Sequence, residues 1–126
     1  GNISKNAIDI MQADYDCKPE HLIGFIGPGI CSGCYEISLD VADEFTSAYS
    51  DSQIPMILKP GRSSDKFYLD LLMANRLNLI NCGIESSNIY TADVCTCCNP
   101  RLLSSHRATG GKRGLMCNFI YIKGVN

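Results

Sequence analysis

Three cysteines, Cys95, Cys97 and Cys98, crowd into four positions of the segment ADVCTCCNPRLLSSHRATGGKRG, and Ser104-Ser105-His106-Arg107 then runs into a glycine-rich basic turn. Thiols at this density can act as metal ligands, a redox pair, a nucleophile, or small buried side chains. Cys31 and Cys34 form a second C-x-x-C to set beside Cys95 and Cys98, and two thiolate pairs are the donor set of a tetrahedral zinc site. Sixty residues lie between the pairs, far more than in a compact zinc ribbon, with an apolar strand pattern and a long helical pattern intervening. That spacing argues against a shared metal. Cys31 also precedes the next helical pattern by several residues, which is poor geometry for a redox pair activated by a helix N-terminus. Cys17, Cys82 and Cys117 read as small buried hydrophobes.

His21 and His106 are the only histidines. One histidine beside a cysteine is the minimum for thiol catalysis, so a cysteine hydrolase using a thiol and His106 is one reading. Arg107, with Lys112 and Arg113 across the Thr109-Gly110-Gly111 turn, supports another: guanidinium and glycine amides presented to a phosphate or other anion. An exposed basic hairpin without a ligand would use the same residues, and residue types alone leave that choice open.

The elements that must carry these groups are legible in outline. Ile3, Ala7, Ile10 and Met11 fall at helical spacing and predict a first helix ending near Asp14. The run HLIGFIGPGI predicts a buried strand delivering the chain into a tight Gly27-Pro28-Gly29 turn. Ser38 precedes a second helical pattern with Val41, Phe45 and Ala48 on one face. The stretch DKFYLDLLMANRLNLINCGI predicts one long helix with Phe67, Leu71, Ala74, Leu77 and Leu79–Ile80 as its apolar stripe, Asp65 as its cap and Gly83 as its stop. SSNIYTADV and LMCNFIYIKG predict strands. Helices interspersed with strands, without regular βαβ alternation, indicate an α+β fold in a single domain over 1–126, with no repeat or linker.

Composition narrows the function classes. A chain of 126 residues buries roughly two-thirds of its unfolded surface. A net charge of −2 from 11 basic and 13 acidic residues, without long runs, provides no footprint for nucleic acid or an anionic membrane surface. The apolar runs fall short of a membrane span and no export signal is visible, so we expect a cytoplasmic protein. An apolar fraction of 45% is enough for an ordinary core, and the eight cysteines are accordingly expected to be reduced thiols.

Four segments, GFIGPGICSGCYEIS, KFYLDLLMANRLNLINCGI, NIYTADVCTCCNP and LLSSHRATGGKRGLM, in this order and spacing resemble the C-terminal half of the laccase-domain, or polyphenol oxidase-like, family of purine nucleoside phosphorylases. The resemblance covers essentially the whole chain and implies a mixed β-sheet with packed helices. It also implies phosphorolysis of adenosine, inosine, guanosine or methylthioadenosine, with a linked adenosine deaminase activity, in the full-length protein.

Family members run to roughly twice this length and hold zinc through two histidines and a cysteine of their N-terminal half, including the histidine of a His-Ala-Gly-Trp-Arg-Gly motif. This chain contains no tryptophan, and none of those ligands has a counterpart here. The resemblance therefore implies a C-terminal fragment that binds no metal and is inactive alone, with an apolar face for the missing N-terminal half or a homodimer partner. Carried onto this sequence, it makes Arg107, His106 and Cys31 candidate catalytic residues and Gly29, Cys34, Ser105, Gly110 and Arg113 candidate contacts to nucleoside and phosphate. A cysteine hydrolase, prompted by the family's distant fold similarity to deamidating cytotoxic necrotizing factor toxins, and a non-catalytic binding domain remain alternatives. Multicopper oxidase chemistry, implied by the family's older name, needs many histidines and is the poorest fit.

Overall fold

The computed structural model describes residues 2–112 and 114–121. Helix α1 (Ile3–Tyr15) begins where the Asn2 side chain accepts a hydrogen bond from Lys5 N at 3.1 Å, and it ends at Asp16 in the left-handed region, φ 51°. Its buried residue is Ile8, packed with Ile84 and Ile89, whereas Ile3 and Ile10 of the predicted stripe are exposed. The helical spacing was correct but the buried face was not, because a helix that buries a single side chain leaves little pattern to read.

Strand β1 (Gly24–Ile26) is much shorter than the predicted run, and its Phe25 is half-exposed. After a tight turn at Ser32–Cys34 come β2 (Glu36–Ser38) and α2 (Leu39–Ala48). Ser38 occupies the predicted cap position, although its hydroxyl makes no capping bond to the helix backbone; Val41 and Phe45 face the core and Ala48 does not. A short helix α3 (Ile54–Ile57) leads into β3 (Leu58–Pro60), which pairs antiparallel with β4 (Lys66–Leu69). Gly61 turns this hairpin, where a Cβ would lie 2.6 Å from the carbonyl group of Lys66.

The predicted long helix is thus two elements, β4 followed by α4 (Leu71–Asn81). Phe67 keeps helical spacing to Leu71 by coincidence, but Lys66–Leu69 is drawn into strand geometry by pairing with β2 on one side and β3 on the other. The cap is therefore Asp70, which accepts from Met73 N at 2.9 Å, and not Asp65. At the other end Gly83, φ 93°, stops the helix as predicted: its N–H donates to Ile80 O and that of Ile84 to Leu79 O, the paired bonds of a Schellman motif. Strand β5 (Ile89–Thr91) follows, while the described part of LMCNFIYIKG, residues 115–121, contains no strand.

The fold is α+β, with parallel and antiparallel pairing divided between two sheets: β2-β4-β3 antiparallel and β1-β5 parallel. Ile37, Ile57 and Leu69 of the first sheet and its flanks pack with Ala42 of α2 and Ala74 and Leu77 of α4 as the main core. Helix α4 also contacts both strands of the parallel pair, so it is the shared layer on which both sheets rest. Leu115, Phe119, Ile120 and Tyr121 are largely exposed. Among the described residues no helix is long and apolar enough to cross a membrane.

Candidate functional site

The parallel pair decides what meets at the site. Gly24, Phe25 and Ile26 lie opposite Ile89, Tyr90 and Thr91, and beyond the strands Gly29 bridges Cys95. Two residues lie between Ile26 and Gly29 and three between Thr91 and Cys95; the extra residue is absorbed near Asp93, which is left-handed at φ 50°. Gly29 N donates to Val94 O at 3.3 Å and Thr96 N to Gly29 O at 3.0 Å. The Gly27-Pro28-Gly29 turn, with the C-x-x-C behind it, is thereby held against the second cysteine segment.

On one side of this junction lies a cleft of about 430 Å³ lined by, among others, Gly29, Tyr35, Thr96, Ser105, His106 and Arg107. Among the described residues no carboxylate lines it. Arg107 is exposed but positioned: its guanidinium sits 5.4 Å from the centre of the Tyr35 ring and donates to Glu36 O at 3.1 Å, leaving further N–H donors on the same fork. The loop behind it is folded locally. Ser105 is buried, its Oγ accepts from Ala108 N, and its carbonyl accepts from Thr109 N and Oγ1. Ser104 Oγ accepts from Gly114 N at 2.6 Å, and Thr109 Oγ1 donates to Lys112 O.

The thiols converge where the two cysteine segments meet. The Sγ atoms of Cys31, Cys34, Cys95 and Cys98 all lie within 4.8 Å of one another, and among the described residues this is the one group of three or more His, Cys, Asp or Glu side chains near enough to share an ion. The spacing argument against a common site fails because parallel pairing, not sequence proximity, joins the two segments. The group could hold a metal; all eight cysteines are unbridged thiols. Burial pushes the Cys95 thiol up, but donation to its sulfur from Cys31 N at 3.3 Å and Cys98 N at 3.4 Å, with the neighbouring thiols, outweighs this and brings its pKa down to about 6. Hydrogen bonds with the Cys98 and Cys31 thiols, together with burial, hold Cys34 far above the ordinary thiol range. Cys34 lowers the Cys98 pKa, but Cys95, Cys31 and burial leave it raised.

Of the residues singled out from the sequence, the fold brings Gly29, Ser105, His106 and Arg107 into one cleft. Cys31 and Cys34 do not line it and belong to the thiol group. Gly110, at φ 62°, forms the turn tip away from the lining, and Arg113 lies outside the described residues. No thiol hydrogen-bonds His106 among the described residues, and neither histidine joins a ligand cluster. The donors do not fit the zinc set of two histidines and a cysteine, nor a histidine-rich copper centre. Sequence reasoning missed Tyr35 and Thr96; their signal was adjacency, one following Cys34 and the other lying between Cys95 and Cys97.

The model of the multi-copper polyphenol oxidoreductase laccase family matches residues 1–123. The chain belongs to this laccase family. A relative named purine nucleoside phosphorylase YlmD, from Geobacillus stearothermophilus, is 32% identical over 121 residues, covering 95% of this chain and 43% of the relative. One named adenosine deaminase RL5, from an unknown prokaryotic organism, is 27% identical over 123 residues, covering 98% of this chain and 46% of its own length. Among solved structures, the hypothetical protein YfiH of Bacillus licheniformis superposes with a TM-score of 0.82 at 27% identity, covering 90% of this laccase-family chain and 42% of that one. The chain thus spans less than half the length of these relatives.

Proposed function

We propose that this chain supplies one wall of a purine nucleoside phosphorylase site, as a single domain corresponding to the C-terminal half of its longer relatives. The observation that carries the reading is the placement of Arg107 and His106 in one cleft with the Gly29 turn, without a carboxylate among its described lining residues. A phosphate dianion is best held by a guanidinium fork and backbone amides in a site without competing anions. Arg107, held by Tyr35 and the Glu36 carbonyl, would present its remaining donors to phosphate, with His106 and the Ser105 turn beside it.

The reaction is a displacement at the ribose. A phosphate oxygen forms a bond to C1′, the bond from C1′ to the purine nitrogen breaks, and its electron pair leaves with the base, which takes up the proton released by phosphate. Ribose 1-phosphate and free base result. Cationic donors stabilise the attacking dianion in place, and the exposed apolar surface around 115–121 is where an N-terminal half or a second copy would close the site. Linked deamination needs a metal-activated water, which the zinc of the family's N-terminal half would supply. The reduced thiols and unremarkable charge accord with a cytoplasmic enzyme.

The test is to incubate the full-length protein with adenosine or inosine, with and without inorganic phosphate, and to separate the products. Free base and ribose 1-phosphate in equal amounts, only when phosphate is present, is the expected outcome. Base release independent of phosphate, or none with any purine nucleoside, would refute the reading.

A further inference from the structure

We propose that Cys31, Cys34, Cys95 and Cys98 form a closed, four-thiolate zinc site that clamps the Gly29 turn to the Thr96 segment. This rests on the thiol group alone and stands whether or not the cleft is a phosphorylase site. Tetrahedral zinc with bonds of about 2.3 Å to sulfur places its ligands about 3.8 Å apart. The sulfurs of Cys34 and Cys98 are 3.5 Å apart, those of Cys31 and Cys98 4.0 Å, and no pair exceeds 4.8 Å. An ion at the centre needs shifts of at most about an ångström to complete its shell.

Local structure prepares each half of the set. Cys31 and Cys34 flank a tight turn in which Cys34 N donates to Cys31 O at 3.0 Å, and Cys95 and Cys98 flank another in which Asn99 N donates to Cys95 O at 3.1 Å. The parallel pairing then docks one turn on the other through Gly29 and Cys95. Two backbone N–H groups, those of Cys31 and Cys98, aim at the Cys95 sulfur, the kind of outer support that orients thiolate ligands and spreads their charge. Four sulfurs this close cannot all be thiolates without a cation, and soft thiolate donors in a tetrahedral set favour zinc over oxygen-loving ions. Cys98 is exposed and gives the ion a way in. With all four positions occupied by protein, no coordination site is left for substrate, so the role is to hold structure. What it holds is the cleft, since Gly29 and Thr96 lie on the two segments the ion would join.

The experiment uses the full chain, purified under reducing conditions, stripped with chelator and reloaded with zinc alone. After gel filtration, bound and stripped protein are treated with a thiol alkylator and the modified cysteines mapped. Zinc is expected to shield Cys31, Cys34, Cys95 and Cys98 while Cys17 and Cys117 stay reactive, and cadmium in its place should give the intense ultraviolet charge-transfer band of four thiolates. The shielding pattern separates this site from any bound through histidines. Cys34→Ala with Cys98→Ala should abolish the band; because that variant could fail to fold, the mapping on the unaltered chain is the deciding measurement. Equal reactivity of the four thiols with and without zinc, or their recovery as two disulfides from protein purified in reductant, would overturn the proposal.

Discussion

Arg107→Ala separates a structural role for this side chain from a functional one. The contacts in the folded chain are a hydrogen bond to Glu36 O and a cation–π contact with Tyr35, both at an exposed position. Losing them should cost about 1 kcal/mol of stability, which a thermal melt reads as a fall of a few degrees. If the remaining donors hold phosphate as it attacks, losing a preorganised cation costs about 2–4 kcal/mol in the transition state, or about 30- to 900-fold in kcat/KM. The two effects are read independently, by melting and by phosphorolysis with phosphate as the varied substrate. Arg107→Lys retains charge over the Tyr35 ring but not the fork, and should recover stability more fully than rate. An Arg107→Ala enzyme with unchanged kcat and unchanged KM for phosphate, but a lowered melting temperature, would show that the guanidinium only braces Tyr35 and Glu36.

Two further outcomes follow from the packing. Leu69 is 0% exposed at the centre of the main core, so Leu69→Ala should destabilise by about 2–5 kcal/mol in urea unfolding with the slope unchanged; a cost below about 1 kcal/mol would mean that this core is not as packed as described. The Tyr49 hydroxyl lies 3.0 Å from Ala74 O and 2.9 Å from Asn78 Oδ1, and burial raises its pKa, partly offset by the Asn78 bond. Because the folded pKa lies above the unfolded value of about 10, this stabilisation is complete below that pH and is lost as pH rises towards the folded pKa. Tyr49→Phe should therefore be less stable than the parent at neutral pH and lose less stability above pH ~10; parallel stability curves for the two proteins would exclude Tyr49 as a source of the alkaline loss.

Some of the residues that share the cleft are legible in the sequence. Arg107, His106, Ser105 and Gly29 were selected from the sequence and share a cleft, and Gly83 was recognised as a helix stop because a left-handed position after a helical run leaves a local signature. The break at Asp70 was not legible: Phe67-Tyr68-Leu69 suits either a helix face or a strand, and pairing with β2 and β3 settles it. The thiol group was misjudged for a related reason. Its ligand types and both C-x-x-C spacings are visible in the sequence, but distance along the chain does not report distance in space.

The sequence by itself determined the class of fold, the family through four ordered segments, and the side chains available for an anion or a metal, because composition, short-range periodicity and turn residues act within a few positions. Tertiary structure alone decided that Gly29 bridges Cys95, that Tyr35 lies under Arg107, and that two cysteine pairs sixty residues apart in the chain become one group of four sulfurs. Each of these rests on the register of a three-residue parallel pair supported by α4, and register between distant strands is set by the packing of both against a common layer, which no local pattern encodes.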